Sequence, residues 1–562
     1  MADLAALAQS VREWIAADPS EADRAELEEL LAKAEQGDDA ALADLTDRFA
    51  GTLEFGTAGL RGEMTAGPNR MNVAVVRRAA AGLVAWLKDM VANEPVVVVG
   101  FDARYHSSEF ARDTAAIVTA AGGKALLMPR ELPTPLLAYA VRKLNADAGV
   151  MVTASHNPPR DNGYKVYLGG RSVDEDGTGV QIISPVDAEI AAKIAEAPAA
   201  NEVPMAEGWE VLDESIVEEY IADTLAVTPD GPRDLKIVYT AMHGVGNSLV
   251  EPLLHRAGFT DIVPVESQIN PDPDFPTVAF PNPEEHGALD EAIATAERVG
   301  ADIIIASDPD ADRCSAAIPT ADGWRQLSGD EIGSILGEQV ASQTVAEGGS
   351  GRLASSIVSS QLLEQIAAHH GLDYSATLTG FKWIARAPEI IFGYEEAIGF
   401  CVHPELVKDK DGVSAALTIA TTAAAAKAEG HSLQDTLDEL ALRHGVYYTA
   451  PVTVRVDDLS IIPATMAKVR ATPPTTLLGV PVARVEDLTQ GSADLPPTDA
   501  LRIVTEEGDR VIVRPSGTEP KVKCYLEVIV PVDSADELPQ AKAAAAERME
   551  RFKADVSEML TL

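Results

Sequence analysis

At 562 residues, 46% of them apolar, the chain is too long for a single core and too apolar for disorder, so roughly three to five folded domains are expected. A net charge of -43, spread along the chain, argues against nucleic acid or an anionic membrane as partner and makes any local gathering of Lys and Arg informative. Three widely spaced cysteines predict reduced structural thiols rather than a zinc site or disulfide framework, and the lack of a long apolar run or a leader-like N-terminus predicts a cytoplasmic protein.

The first fifty residues read as helical. Ser20, with acidic Asp23 at the third helical position, predicts a capped start, and Leu27, Leu30, Leu31 and Ala34 then form one apolar face. A glycine-rich loop follows, Glu54 to Met64, in which Gly56, Gly59 and Gly62 flank Arg61. Such a loop lets backbone N–H groups approach a ligand, and the planar guanidinium suits phosphate oxygens; a purely structural glycine loop is the competing reading. Val96–Asp102 reads as a buried strand, Arg104 falls in the loop after it, and a helix starts near Ser108.

The apolar run Ala148–Val152 predicts another buried strand, followed by Thr153-Ala154-Ser155-His156-Asn157-Pro158-Pro159. Proline lacks an N–H and restrains the residue before it, so the strand must end and Ser155 must sit on a stiff turn. Open α/β sheets bind ligands at such strand ends. Ser155 is therefore a candidate phosphoryl carrier, with His156 beside it and Lys165 ten residues on; the plain alternative is a turn serine next to a histidine. A polar, Ala- and Pro-rich stretch, Glu196 to Gly208, marks a boundary.

The second unit opens with a strand at Leu235–Thr240 and the loop Met242–Asn247. A proline-rich crossing, a helix near Leu289–Arg298 and a buried strand at Ala301–Ala306 follow. Directly after that strand stand Asp308, Asp310 and Asp312. Extended backbone would turn all three carboxylates to one side, where mutual repulsion calls for a divalent cation, and hard oxygen ligands favour Mg2+. An EF-hand is excluded because its glycine and glutamate positions hold Arg313 and Pro319; an aspartyl nucleophile or an acidic turn stays open.

The third unit contains Thr379-Gly380-Phe381-Lys382-Trp383 and then Glu395 and Glu396 between glycines, a pair suited to sugar hydroxyls or to acid–base work. Lys382 is a candidate phosphate anchor. The last unit has strands at Ala450–Val456 and Arg502–Val504, separated by a Pro/Thr-rich region. The strand Val511–Val513 then enters Arg514-Pro515-Ser516-Gly517-Thr518-Glu519-Pro520-Lys521, and Cys524–Val530 and a helix near Gln540–Met559 close the chain. One guanidinium, two hydroxyls, a loose glycine and Lys521 form the inventory of a phosphate-binding loop, against the alternative of a basic surface turn.

Four of these segments, TASHNPP, DPDADR, EEAIG and RPSGTEPK, occur in the order seen in the α-D-phosphohexomutase superfamily, which the chain resembles over nearly its whole length. GTAGLRG, TGFKW and KDKDGVSAA resemble the branch with phosphopentomutase and glucose-1,6-bisphosphate synthase-like members. The resemblance implies three similar mixed α/β domains and a C-terminal α+β domain around a central cleft, with limits at 1–207, 208–328, 329–446 and 447–562.

It further implies a phosphosugar mutase, of phosphoglucomutase/phosphomannomutase type or alternatively a phosphopentomutase or glucose-1,6-bisphosphate synthase; a non-catalytic phosphosugar-binding protein is the alternative outside the enzymes. Ser155 would be the phosphoserine and a ligand of Mg2+ together with Asp308, Asp310 and Asp312; Arg61, Lys165 and neighbouring His156 would serve catalysis. Arg313, Lys382, Glu395 and Glu396 would bind sugar phosphate. Arg514, Ser516, Gly517, Thr518 and Lys521 would grip the non-reacting phosphate. A sugar 1,6-bisphosphate is the expected activator, and a monomer or homodimer without nucleic acid or membrane partners the expected state. Hexose-specific members often carry serine two places after the sugar-loop glutamate. Ala397 stands there in this chain, which puts hexose specificity in question.

Overall fold

The computed structural model describes all residues except 1, 55–58, 456–460, 516–520 and 561–562. The chain divides into two compact units, one built from 1–326 and 399–421, the other from 327–398 and 422–562.

The first unit opens with three helices. Ser20 caps the second through Asp23 N–H, as its sequence predicts, and Leu27, Leu31 and Ala34 are buried, whereas Leu30 is only half-buried. A mixed sheet follows, with the strands in the order Leu60–Glu63, Asp161–Leu168, Ala148–Val152, Val96–Phe101, Lys124–Leu127 and Glu210–Val211. Its central strand Ala148–Val152 is buried throughout, parallel to Val96–Phe101 on one side and antiparallel to Asp161–Leu168 on the other. Helices on its faces complete a core that includes Leu83, Trp86, Val99 and Phe110.

A second mixed sheet repeats this local pattern. Ile303–Ser307 runs parallel to Lys236–Thr240 and antiparallel to Cys314–Thr320. The serine and aspartate segments thus leave equivalent strands, each at its C-terminal end, where a parallel strand pair leaves room for a ligand.

In the second unit, Asp373–Thr377, Arg352–Ser356 and Ile390–Glu395 form a parallel layer. The C-terminal sheet is wholly antiparallel, from Val446–Arg455 through Lys521–Val530, Arg510–Pro515 and Leu501–Thr505 to Val480–Asp487 and Thr476–Leu477. The helix Leu538–Leu560 covers one face through Ala545, Met549, Phe552 and Val556. The Pro/Thr-rich region is more ordered than its composition suggests. It holds the helix Ile461–Ala471 and the strand Val480–Asp487, whose outward residues are exposed and so leave no clear alternating signal. Among the described residues no helix is long and apolar enough to cross a membrane, and all three cysteines are buried and unpaired.

Candidate active site

Ser155 sits at φ +51° three residues beyond the end of its strand, a left-handed conformation uncommon outside glycine. Its N–H donates to Thr153 Oγ1 at 2.9 Å, and Asn157 N–H closes the turn on Ala154 O at 3.0 Å. The turn is clamped from below by Arg104, which the sequence reading left unassigned. Its buried guanidinium donates to the carbonyls of Ser155 (2.7 Å), Asn157 (2.6 Å), Pro158 (2.8 Å) and Asp161 (3.1 Å) and lies 5.0 Å above the Phe275 ring. One planar fork thereby satisfies three carbonyls of the turn and that of Asp161, where the strand Asp161–Leu168 begins.

The aspartates converge, although not by extended alternation. The strand ends at Ser307, and 308–312 form a tight turn with Ala311 N–H on Asp308 O at 2.9 Å and Ala311 at φ +52°. Gly244 makes this packing possible, since a Cβ there would lie 2.2 Å from Pro309 Cα, while Val245 N–H supports Pro309 O at 2.8 Å. The three carboxylates are buried, with one oxygen of each within 4.8 Å of the others.

Ser155 Oγ donates to Asp308 Oδ2 at 2.8 Å, joining the serine turn to the aspartate turn. Lys165 Nζ donates to Asp310 Oδ2 and Asp312 Oδ2, each at 2.8 Å, and Thr134 Oγ1 to Asp310 Oδ2 at 2.6 Å. Lys410, a further residue missed from sequence, stands 3.4 Å from Asp312 Oδ2. It is aimed by its buried neighbours: Asp409 accepts from Tyr167 Oη at 2.7 Å, and Asp411 accepts from Tyr220 Oη.

Burial, reinforced by Asp310 and Asp312, pushes the Asp308 carboxyl well above the usual range. Burial would raise Asp312 too, but Lys165, Lys410 and Arg313 outweigh it and hold that carboxyl low. Burial works against the charge on Lys165, but Asp310 and Asp312 outweigh it and push the ammonium's pKa up. Burial together with Arg313 and Arg61 holds His156 well below its usual value, a neutral imidazole with Nδ1 3.3 Å from Ser155 Oγ.

Arg61 lies on the strand Leu60–Glu63 and donates to Asn157 Oδ1 at 3.1 Å. Arg313 follows the aspartate turn, its N–H on Asp308 Oδ1 at 3.1 Å and its side chain 3.8 Å from Glu284. Asp310 Oδ1 and Asp312 Oδ1 are buried without hydrogen-bond partners. Hard, anionic oxygens left unsatisfied beside a hydroxyl fit a divalent cation of the Mg2+ kind.

In the second unit, Lys382 lies on the short helix Phe381–Ile384 and is 9% exposed. Arg514 reaches the same loop, donating to Thr379 Oγ1. Lys521 begins the strand paired with Arg514's own, two residues before Arg514's partner Lys523. Ser516, Gly517 and Thr518 lie outside the described residues. Glu395 ends its strand half-buried, and Ala397 brings no hydroxyl to the turn. Glu396 is turned inward, its Oε2 accepting from Ser356 Oγ at 3.0 Å and Ser359 Oγ at 2.9 Å. Burial, then Glu395 and Asp330, push its carboxyl up to about 7.

Four family models match in order. Phosphoglucomutase/phosphomannomutase alpha/beta/alpha domains I, II and III cover 52–200, 218–322 and 328–443, and the C-terminal domain covers 452–551. The chain is similar to a probable phosphomannomutase of Haemophilus influenzae, at 45% identity over 81% of this chain and 93% of the relative. It is also similar to a phosphoribomutase of Saccharomyces cerevisiae, at 36% identity over 86% and 87% of the two chains. In fold it resembles a solved phosphoglucomutase/phosphomannomutase family protein from Burkholderia thailandensis, with TM-score 0.67, 19% identity and coverage of 90% and 97%. The chain belongs to the phosphoglucomutase/phosphomannomutase family.

Proposed function

We propose that the chain is a phosphosugar mutase that carries the migrating phosphoryl group on Ser155 and moves it between the 1-position and the 6- or 5-position of a sugar phosphate. The observation that carries this reading is the 2.8 Å hydrogen bond from Ser155 Oγ to Asp308 in a pocket shared with Lys165 and the other two aspartates. Phosphoryl transfer needs alignment and charge neutralisation more than covalent assistance. The side chains of Asp308, Asp310 and Asp312, with Ser155, would hold Mg2+, which when bound offsets charge on the phosphoryl oxygens.

Arg104 holds the serine turn rigid, so that the phosphoester points one way. The Lys165 ammonium, Arg61 and Lys410 add positive charge around a group of roughly -1.5 to -2. In the forward step a sugar hydroxyl forms the new P–O bond while the bond to Ser155 Oγ breaks. The hydroxyl proton leaves to a base of the pocket, and Ser155 Oγ, as the leaving group, takes up a proton on the side where His156 stands. In the return step His156 accepts that proton as Ser155 attacks. The bisphosphorylated sugar then turns and returns its other phosphoryl group to Ser155, which is why a sugar 1,6-bisphosphate would prime the enzyme. Glu395 and Arg313 are assigned to the sugar phosphate. Lys382, Arg514 and Lys521, with Ser516, Gly517 and Thr518, are assigned to the non-reacting phosphate.

Domain limits at 1–207, 208–328, 329–446 and 447–562 belong to the same proposal, each domain supplying one loop. So does action in the cytoplasm as a monomer or homodimer, without nucleic acid or membrane; the charge of -43 supports the exclusion of anionic partners. A pentose phosphate is the second reading, favoured by Ala397 and by the similarity to a phosphoribomutase. Isomerisation of glucose, mannose, ribose and deoxyribose 1-phosphates, with and without a sugar bisphosphate, tests both. A mutase is activated by the bisphosphate and regenerates it. Net hydrolysis, or no turnover of any of the four, contradicts the proposal.

A further inference from the structure

Both sugar-loop glutamates are half-buried, and the residues on either side of Glu395 are each held by hydrogen bonds. Tyr394, fully buried, donates its hydroxyl to Asp330 Oδ1 at 2.9 Å. Glu396 is held by the hydroxyls of Ser356 and Ser359, which are themselves 2.9 Å apart, and its N–H donates back to Ser359 Oγ at 3.1 Å. Helix Gly329–Ala346 packs against the same turn through glycine: a Cβ on Gly329 would lie 1.9 Å from Glu396 O, and one on Gly333 2.5 Å from the Tyr394 ring. Glu395 therefore stands between two tethered neighbours.

The Glu396 tether ends on the segment Ser356 to Gln361, and the Tyr394 tether on Asp330, which itself accepts from Ser360 N–H of that segment. The far side of the segment is gripped by the C-terminal strands. Glu527 on Lys521–Val530 accepts from Ser360 Oγ (2.6 Å), Gln361 N–H (3.0 Å) and Gln361 Nε2 (2.8 Å), at the start of helix Leu362–His370. Arg510 lies 3.1 Å from Glu527 and donates to Ser359 O. Asp330 accepts from Ser360 N–H at 2.7 Å and, through its other oxygen, from Thr449 Oγ1 at 2.7 Å. These groups are buried or half-buried, where an unmade hydrogen bond costs more than a made one returns, so the network favours one arrangement.

Resting on the mutase reading above, we infer that Tyr394 and Glu396 are positioning residues that leave Glu395 as the sugar-reading carboxylate, and that Ser356–Gln361 makes the C-terminal strands part of the same support. Sugar affinity then depends on residues, such as Thr449, that never touch the sugar loop.

The test measures kcat and KM with glucose 1-phosphate and ribose 1-phosphate as probes, beside the loss of phosphate from phospho-Ser155 to water without sugar. Ser359→Ala is expected to raise KM about tenfold and Thr449→Val about threefold, with kcat within about twofold and the water reaction unchanged. Glu396→Gln keeps an acceptor oxygen and stays within about threefold of the parent KM, whereas Glu396→Ala exceeds about tenfold. Unchanged KM in both Ser359→Ala and Thr449→Val, or a parallel fall in kcat and the water reaction, overturns the inference. Should either fail to fold, equal KM in Glu396→Gln and Glu396→Ala overturns it. Parent protein that holds no phosphate on Ser155 and turns over neither sugar overturns the mutase reading itself, and this inference with it.

Discussion

The serine–aspartate pocket and the sugar-loop network are both buried and polar, but they are built from opposite materials. In the first, three carboxylates meet Lys165 and Lys410 around one hydroxyl, and formal charge is left to be balanced. In the second, neutral hydroxyls and backbone N–H groups from Ser356–Gln361 surround Glu396, Asp330 and Glu527, and most lone pairs are answered. A charge-rich pocket of fixed geometry suits a group whose charge moves during reaction. A network whose carboxylates are answered by hydroxyls, backbone N–H groups and Arg510 suits the holding of a neutral sugar face. On the mutase reading proposed above, the difference would separate the chemistry of transfer from the recognition of substrate, and substitutions in the two regions should separate likewise.

The sharpest contrast comes from Lys165. Lys165→Met leaves two buried carboxylates facing each other without their ammonium, and kcat is expected to fall by about 10^3 or more, read by steady-state turnover. A KM effect without a kcat effect would break the comparison. Arg104→Lys keeps the charge but cannot fork over four carbonyls; kcat should fall about 100-fold with KM within about threefold, because a small misplacement of the nucleophile suffices. Added guanidine should partly restore activity to Arg104→Ala.

On the sugar side the effect is on stability and pH. Glu396 binds its proton more tightly when folded, at about 7 against an ordinary value of 4.5. Between those values the folded state holds more protons than the unfolded state, so stability falls as pH rises through the window and levels off above it. The loss is on the order of 2 kcal/mol once partial exposure is allowed for. Glu396→Gln should flatten the fall in melting temperature between pH 5 and 7, and an unchanged slope would show the carboxyl to be ordinary. The smallest effect is expected of Ala397→Ser. A returned hydroxyl should shift kcat/KM toward hexose over pentose by about three- to tenfold, measured by competing substrates.

The transfer pocket was more legible in sequence than the recognition network, for a physical reason. Asn157-Pro158-Pro159 and the spaced aspartates impose themselves locally, through a ring that cannot extend a strand and charges that cannot stand alone. The means of convergence was not legible. A left-handed Ala311 gathers the aspartates, and nothing in an alanine announces positive φ. Arg104 read only as a loop residue and Lys410 only as one letter of KDKDGVSAA, because their partners lie 51–57 and 98 positions away and appear only once the strands pair. Glu395 and Glu396 looked equivalent as a pair. Only Ser356 and Ser359, brought alongside by the parallel pairing of Arg352–Ser356 with Ile390–Glu395, distinguish the tether from its neighbour. Central strands such as Ala148–Val152 and Ile303–Ser307 were visible as apolar runs. Asp161–Leu168, Arg352–Ser356 and Asp373–Thr377, which carry polar residues, were not, nor was Val480–Asp487, whose side chains lie largely in solvent.

The central claim is that Ser155 carries the phosphoryl group. It is tested most directly by incubating the protein with Mg2+ and a sugar bisphosphate, mapping phosphate by peptide mass spectrometry, and chasing with unlabelled sugar monophosphate. The account predicts a single phosphate on the peptide containing Ser155 that disappears into sugar bisphosphate during the chase, with no label and no turnover in Ser155→Ala. Full turnover without phosphate on Ser155, or undiminished turnover in Ser155→Ala, would contradict it.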